Sequence, residues 1–592
     1  QDRRCRLLPR ASNQNRGRTG RAQRLAHDAT ALGAPTSRHH GWADELATVA
    51  DRGLVDAFTQ RGALGQRETS GSSVAGARAV GARRRGGGMN FQRYAVAMAG
   101  EVNDRLIDHL IRDDGQEDLC LAIYAPSSGA SRFTGLIRER VLPRPGERVV
   151  RGTVEFTGDY VLRVATIAAD QGGGVAILHS HPAGRRWQAM STPDYDAESS
   201  YAALAQEVTG LPLIGMTLAG HDRTWSARFW QADTHPPSPA HCDSVRVVGN
   251  ALSFSWNDRL VPAPPITDML SRTVDCWGPV TQADLARMRI LVVGCGTIGL
   301  DVAMRLAIAG VQRLGVLDFD LIEPWNLDRL IDATLWDVLL GRTKLEHADR
   351  VLRRNATADQ FVVDLIDGSV CEPEIFAKVL DYDLVVCAID DRPWPRSVLN
   401  TVPYSDLIPV VDGGVHIDLH RDSQTMRNAT WRAHVLRPGR PCMACNGQLQ
   451  LGAVQADRQN LWDDPTYVAG IPESDRPRSQ NVGLFAAGAA AGLLSQLTCF
   501  IANPSGFGDP GAVRFNLSTH WLEHLEIQSA ENCVVESQYL AGDDRVQPLG
   551  RDQRAEREVA VRSRRLRRPL TRVLRYVDRG LRLTGSKFQQ WL

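Results

Sequence analysis

A chain of 592 residues is long enough for about three to four domains as a soft prior. Its 69 basic and 68 acidic side chains leave a formal net charge of +1, which excludes a global electrostatic attraction to nucleic acid or to a membrane surface. No run approaches the ~18 apolar residues of a membrane span, and 11 cysteines in so long a chain do not make a disulfide framework.

Residues 1–88 are rich in Arg, Gly, Ala and Ser, with no sustained apolar period. The stretch opens on Gln1, and patterning begins only at Met89, after Arg83-Arg-Arg-Gly-Gly-Gly88. It is expected to be a disordered leader, or upstream sequence translated from a wrongly placed start, rather than a basic arm for nucleic acid. No apolar signal segment is visible in it, so a cytoplasmic setting with free thiols is expected. Elsewhere the basic residues are almost all Arg. The only lysines are Lys344, Lys378 and Lys587.

Residues 89–235 read as a first domain. Val102, Leu106, Leu110 and Ile111 fall on one helical face. Leu119-Cys-Leu-Ala-Ile-Tyr124 reads as a strand with Glu117 just ahead of it. A second apolar strand, Val175–Leu178, runs into His179-Ser-His181-Pro, and Ser191-Thr-Pro-Asp194 follows. Strand alternation puts His179 and His181 on one side. Two imidazoles and the Asp194 carboxylate make a three-ligand set, which leaves a tetrahedral Zn²⁺ one open position for water. The metal lowers the pKa of that water, and a nearby carboxylate then serves as base and acid. The plain alternative is that two histidines simply end a strand.

This pattern resembles the JAMM (MPN+) metallopeptidases, whose motif is an upstream Glu with His-x-His…Ser-x-x-Asp. The resemblance implies a smaller α/β domain that cleaves peptide or isopeptide bonds to ubiquitin-like proteins. It implies His179, His181 and Asp194 as zinc ligands, Ser191 as an oxyanion aid, and Glu117 as general acid/base, with Glu155 as its competitor. The loop Pro182–Met190 is two residues longer than the family's usual spacing.

Pro-rich breaks at Thr234–Ala240 and Pro262–Pro265 mark 236–265 as a linker, with a short hairpin around Gly249-Asn250. The second domain is expected over 266–540. Met288-Arg-Ile-Leu-Val-Val-Gly-Cys-Gly-Thr-Ile-Gly299 reads as a buried parallel strand that turns through Gly294, Gly296 and Gly299 into a helix stopping at Gly310. Gly294 suits the tight turn, Gly296 the approach of backbone N–H groups to a phosphate, and Gly299 close helix–strand packing. Alone this motif suggests NAD. Asp318 stands 19 residues after Gly299, where a ribose-binding acid belongs, but Asp320, Asn326, Arg329 and Lys344 follow it. Cations aimed at that crevice suit a triphosphate attacked at its α-phosphorus, not hydride transfer. Val385–Ile389 then reads as a strand ending in Asp390, placed to hold Mg²⁺ against phosphate oxygens.

The combination GxGxxG, Asp318-x-Asp320, Asn326-Leu-Asp-Arg329, Lys344 and Asp390 is similar to the ThiF/MoeB-like, ubiquitin-activating-type adenylyltransferases. That resemblance implies a Rossmann-like α/β adenylation domain. Asp318 would bind ribose, Asn326, Arg329 and Lys344 the phosphates of ATP, and Asp390 the Mg²⁺. It also implies that Arg272 acts across a homodimer on the partner's nucleotide. A structural zinc in two Cys-x-x-Cys pairs is a further feature of the family. Here Cys442-Met-Ala-Cys445 is intact, while Cys533-Val-Val-Glu536 has lost one Cys, so Glu536 or His524 is the candidate fourth ligand. Between Cys445 and Cys499 there is no cysteine, so adenylation is expected without a thioester step. Residues 541–592 read as a basic, solvated or weakly helical tail.

Together the domains lead to a bifunctional cytoplasmic enzyme that adenylates a ubiquitin-like protein and trims or deconjugates it. A conjugating enzyme is a further expected partner; no membrane or nucleic acid is expected. Two alternatives are activation of a sulfur-carrier protein and a non-catalytic scaffold for such a partner.

Overall fold

The computed structural model describes residues 91–583 except 152, 391, 421–424 and 472–480. The expected leader, 1–88, lies outside the described residues.

The N-terminal lobe opens with β1 (Arg93–Ala99), α1 (Gly100–Leu110), β2 (Leu119–Ser128) and β3 (Arg132–Val141). A small hairpin, β4 (Arg148–Arg151) and β5 (Thr153–Phe156), precedes α2 (Gly158–Asp170) and β6 (Gly174–His181). Next come α3 (Thr192–Thr209), β7 (Ile214–Ala219) and β8 (Thr224–Gln231). Helices cover both faces of the sheet at β2, which is why β2 is apolar almost throughout. Cys120, Ala122 and Tyr124 pack on the side of Leu106 and Leu110 of α1. Leu121 and Ile123 face Val161 and Val164 of α2.

The expected linker is part of this lobe. Residues 236–265 contribute β9 (Ser238–His241), β10 (Ser244–Val248) and β11 (Leu252–Trp256) to a nine-stranded sheet of order β11-β10-β1-β3-β2-β6-β7-β8-β9. The hairpin around Gly249-Asn250 is present as β10–β11, but β10 also pairs parallel to β1 and buries Val245. The prolines mark an edge: Pro239 sits in β9, where a missing N–H is tolerated.

In the second lobe α4 (Ser271–Arg287) kinks at Gly278-Pro279 and leads into β12 (Arg289–Val293). Then come α5 (Thr297–Ile308), β13 (Arg313–Asp318), α6 (Leu335–Leu339), α7 (Lys344–Asn355) and β14 (Val362–Asp367). After α8 (Pro373–Val379), β15 (Leu384–Cys387) and α9 (Pro393–Ser405), the long strands β16 (Val410–Leu419) and β17 (Met426–Leu436) follow. The remainder comprises α10 (Leu451–Arg458), α11 (Pro465–Ala469), α12 (Gly483–Ala502), β18 (Val513–Asn516) and β19 (Trp521–His524). The sheet order is β14-β13-β12-β15-β16-β17-β18-β19, with β14 to β16 parallel and the rest antiparallel. The chain therefore leaves β12 on one side and returns on the other. In Rossmann-like α/β sheets the crevice above that reversal is where ligands bind.

Helix α12 corrects the reading that no apolar run reaches membrane length. Its 20 residues include an 18-residue stretch of mean hydropathy 1.7, enough to cross a membrane by length and composition. Its Gly, Ser, Gln and Thr broke the apolar run in the sequence. In the fold Ala486, Ala489, Leu493 and Phe500 are buried in the core, and α12 lies along β16, β17 and α5. A Cβ at Gly492 would stand 2.6 Å from the Trp431 ring of β17, so only glycine allows that approach.

The two lobes share one core: Ala97, Ala125, Leu136 and Trp256 cluster with Met288, Leu300 and Leu493. The seam is also polar and dry. Asp383 pairs with Arg132 and, at 3.2 Å, with Arg246; all three side chains are at most 2% exposed. The Ser127 hydroxyl donates to Asp406 at 2.7 Å, and Asp543 accepts from Ser128.

The described part of the basic tail, up to residue 583, forms α13 (Gln553–Arg567) and α14 (Pro569–Leu583). Its charges find distant partners: Arg565 pairs with Glu323 at 2.7 Å, and Asp578 accepts from Arg342 at 2.6 Å. Those partners lie more than 200 residues upstream, where no local pattern could announce them.

Candidate active site

At the C-terminal end of β12 the chain turns at Gly294, whose φ is +90°. A Cβ there would sit 2.6 Å from the Ala388 carbonyl oxygen, and one at Gly299 would collide with the Gly294 carbonyl. Gly296 differs: nothing lies within 4 Å of its would-be Cβ, so the backbone N-terminal to α5 fronts open space. Asp318 braces this loop. One of its oxygens accepts from Cys295 N at 2.7 Å, the other from Asp320 N at 2.8 Å.

Lys344 is the first residue of α7, fixed by a reciprocal cap between Thr343 and Glu346. Its ammonium donates to Asp320 at 2.8 Å and lies 3.9 Å from Asp318. Burial alone would lower the Lys344 ionisation, but the Asp318 and Asp320 carboxylates outweigh it and hold the ammonium charged. Burial raises Asp318 above the usual carboxylate range. Burial acts the same way on Asp320, but Lys344 and then Arg554 reverse it and keep that carboxyl ionised. Asp390, exposed on the loop after β15, adds its field at Lys344.

Two predicted phosphate ligands are engaged locally instead. Arg329 donates to the Trp325 carbonyl and to Asp328 at 2.8 Å, and Asn326 Oδ1 accepts from Glu323 N at 2.9 Å. Arg272 does not join the set at all. It is exposed at the start of α4, where neighbouring Leu270 packs on Gly310, beyond the far end of α5 from the glycine turn.

In the N-terminal lobe, β6 carries His179 and His181 on one side with ring centroids 5.0 Å apart. Their Nε2 atoms stand 3.5 and 3.6 Å from the two oxygens of Asp194. Among the described residues the three ligand atoms lie within 4.8 Å of one another, a fit for one metal ion. Asp194 is held far below its ordinary range by both histidines, although burial acts the other way. Ser191 caps α3: its hydroxyl accepts from Asp194 N at 3.3 Å, and its own N–H donates to Asp194. Glu117 is half-buried ahead of β2, close enough for its charge to raise His181. Its competitor Glu155 lies exposed in β5, opposite Val149. Behind His179, Thr217 Oγ1 lies 3.4 Å from Nε2 and accepts from Arg228, which a buried Glu198 neutralises. The two-residue-longer loop is pinned where Gln188 N donates to Ser226 at 2.6 Å.

Residues 270–502, which carry the glycine turn, Asp318, Asp320, Lys344 and Asp390, match the model of the ThiF family. This stretch is a ThiF-family domain. The SAMP-activating enzyme E1 of Haloferax volcanii is 31% identical over 180 residues, 30% of this chain and 61% of that protein. Molybdopterin-synthase adenylyltransferase of Escherichia coli is 28% identical over 169 residues, 28% of this chain and 62% of that one. The match thus spans about three fifths of each relative's length. A crystal structure of E. coli MccB with SeMet MccA is 19% identical, covers 46% of this chain and 74% of that chain, and has a TM-score of 0.36.

The two halves of the cysteine motif meet where Cys442 and Cys445, inside the ThiF match, face Cys533 and Glu536 beyond it. Ligand atoms of Cys442, Cys445, Cys533 and Glu536 lie within 4.8 Å of one another, with Cys442 and Cys533 sulfurs 3.5 Å apart. His524, the other candidate, is not in this group. Burial pushes the Cys442 thiol up to about 12, while backbone N–H groups of Cys445, Ala530 and Glu536 point at three sulfurs. N–H donors aimed at sulfur favour thiolates, and three thiolates with a carboxylate are a donor set that zinc accepts. Sequence reasoning missed Arg392, which bridges Asp457 at 3.0 Å and Asp463 at 2.9 Å, and Arg554. Neither stands out in so arginine-rich a chain.

Proposed function

We propose that the protein is an ATP-dependent adenylyltransferase that activates the C-terminal carboxylate of a ubiquitin-like or sulfur-carrier protein. The observation that carries this reading is the convergence of Lys344, Asp318, Asp320 and Asp390 on the open face of the glycine turn. A carboxylate oxygen of the carrier attacks the α-phosphorus of ATP. The new P–O bond forms as the bond to the bridging β-phosphate oxygen breaks, and pyrophosphate leaves. Lys344 offsets the charge gathering on the phosphate oxygens, and Arg329 joins it after exchanging its local partners. Asp318 accepts from a ribose hydroxyl through its remaining lone pairs. Asp390 is the residue that would hold Mg²⁺, which would neutralise phosphate charge. In a homodimer Arg272 would reach the partner's crevice. ATP–pyrophosphate exchange that depends on a carrier with a free C-terminus tests the reading; exchange independent of any carrier, or tight NAD binding instead, would overturn it.

The N-terminal lobe is proposed to be a JAMM-type metallopeptidase for the same carrier. A zinc ion held by His179, His181 and Asp194 would supply a water of lowered pKa. Glu117 would take that water's proton and pass it to the leaving amine. The Ser191 hydroxyl accepts from Asp194 N and so keeps its own proton for the developing oxyanion. Cleavage of a C-terminally extended carrier is expected to fall at least about 100-fold in His179→Ala and on chelation. Undiminished cleavage under both treatments would remove the metallopeptidase from the proposal.

A further inference from the structure

The C-terminal arm lies outside the ThiF match, yet it brings a cation to the crevice. Arg554 Nη2 stands 3.6 Å from Asp320 Oδ1, while Lys344 holds the other oxygen of the same carboxylate at 2.8 Å. The Arg554 guanidinium also lies over the Phe319 ring, 5.3 Å from its centroid.

The placement is built. Asp552 caps α13 and accepts from Arg554 N at 2.9 Å. Arg557 pairs with Asp463 at 2.6 Å, Arg562 with Asp367 at 2.8 Å and Arg565 with Glu323 at 2.7 Å, so three turns of α13 are fastened to the rim. Further on, Arg575 donates to the Leu340 and Gly341 carbonyls and to Glu346 of the Lys344 cap. Burial and the nearby Asp320 raise Glu558, one turn beyond Arg554, above its ordinary carboxyl value, while Arg554 itself acts the other way.

We infer that Arg554 is a phosphate-binding residue of the nucleotide site, supplied in cis by the C-terminal arm. The inference rests on the adenylation reading. Two cations share one carboxylate here, and 3.6 Å is too long for a hydrogen bond, so the guanidinium retains donors for another acceptor. A planar fork of N–H groups matches phosphate oxygens, and stacking on Phe319 fixes its plane. Arg554 therefore recognises the polyphosphate of a nucleoside triphosphate and contributes little to the nucleoside.

Equilibrium binding of ATP and of AMP to the full chain tests this. Arg554→Ala is expected to weaken ATP about 10- to 100-fold, as loss of a charged hydrogen bond does, and to leave AMP within about threefold. Arg554→Lys should recover part of the loss. Arg557→Ala, which loosens the same helix elsewhere, should leave ATP within about twofold. If Arg554→Ala binds ATP like the wild type, or loses ATP and AMP alike, the inference is overturned and adenylation still stands. A wild type that binds NAD and not ATP would sink both, and is a separate result.

Discussion

Lys344→Ala is expected to lower carrier-dependent ATP–pyrophosphate exchange by about 100- to 1,000-fold, the scale of losing one preorganised charge at a reacting centre. The side chain is 15% exposed, its ammonium clamped by two carboxylates and aimed by the cap of α7. Water replaces it poorly there, because Asp318 and Asp320 would face incoming phosphates without their counterion. The turn around the cap involves Thr343 and Glu346, not the lysine side chain, so α7 should hold and any fall in melting temperature should come from the two carboxylates left without their counterion. Steady-state exchange at saturating ATP, with a thermal melt alongside, checks both statements. If Arg272 serves the partner's site, mixed Lys344→Ala and Arg272→Ala dimers will regain activity. Near-normal exchange in Lys344→Ala alone would remove it from the mechanism.

Asp383→Ala should have the largest effect on stability, roughly 3–5 kcal/mol or more, because it strands two buried guanidinium groups. It also orphans Arg289 N, which donates to Asp383 at 2.9 Å. Arg132 and Arg246 come from the N-terminal lobe and Asp383 from the turn before β15, so the loss falls on the seam. Burial acts to raise Asp383, but both arginines outweigh it and hold it below its ordinary value. A depressed carboxylate stabilises the fold above its unfolded pKa of about 4 and loses that contribution as pH falls through its folded value. The stability gap between wild type and Asp383→Asn should therefore be flat above about pH 5 and narrow below about pH 4. Denaturant melts across that range measure it. A gap that widens in acid would contradict the pairing.

What the sequence disclosed was local. The run from Arg289 to Gly310 carries its own instructions: a five-residue strand with four residues buried, a glycine turn, and a helix with Ile298, Val302 and Leu306 inside. Asp318 and Lys344 were legible because the crevice needs them at set distances along the chain, and Lys344 stood out as one of three lysines. His179, His181 and Asp194 were legible because strand alternation and a helix cap place side chains predictably. Other features depended on tertiary partners. The hairpin of β10 and β11 was legible but its place in the sheet was not, and β9 hid among prolines because an edge strand and a loop tolerate the same residues. The arm looked solvated because an arginine bound to a distant carboxylate and one bound to water share one pattern. Asn326 and Arg329 show a different limit, since their spacing is met while their side chains hold local partners.

Among the described residues, the seam leaves the two lobes without a hinge between them. Any swing would expose the shared core and part the ion pairs of Asp383, so the two pockets keep a constant separation. On the proposed reading, a carrier trimmed at one pocket is not swung to the other. The carrier's own C-terminal tail has to cover that fixed distance, so the gain in effective concentration from sharing one polypeptide is set by the length of the tail and not by any motion of the lobes.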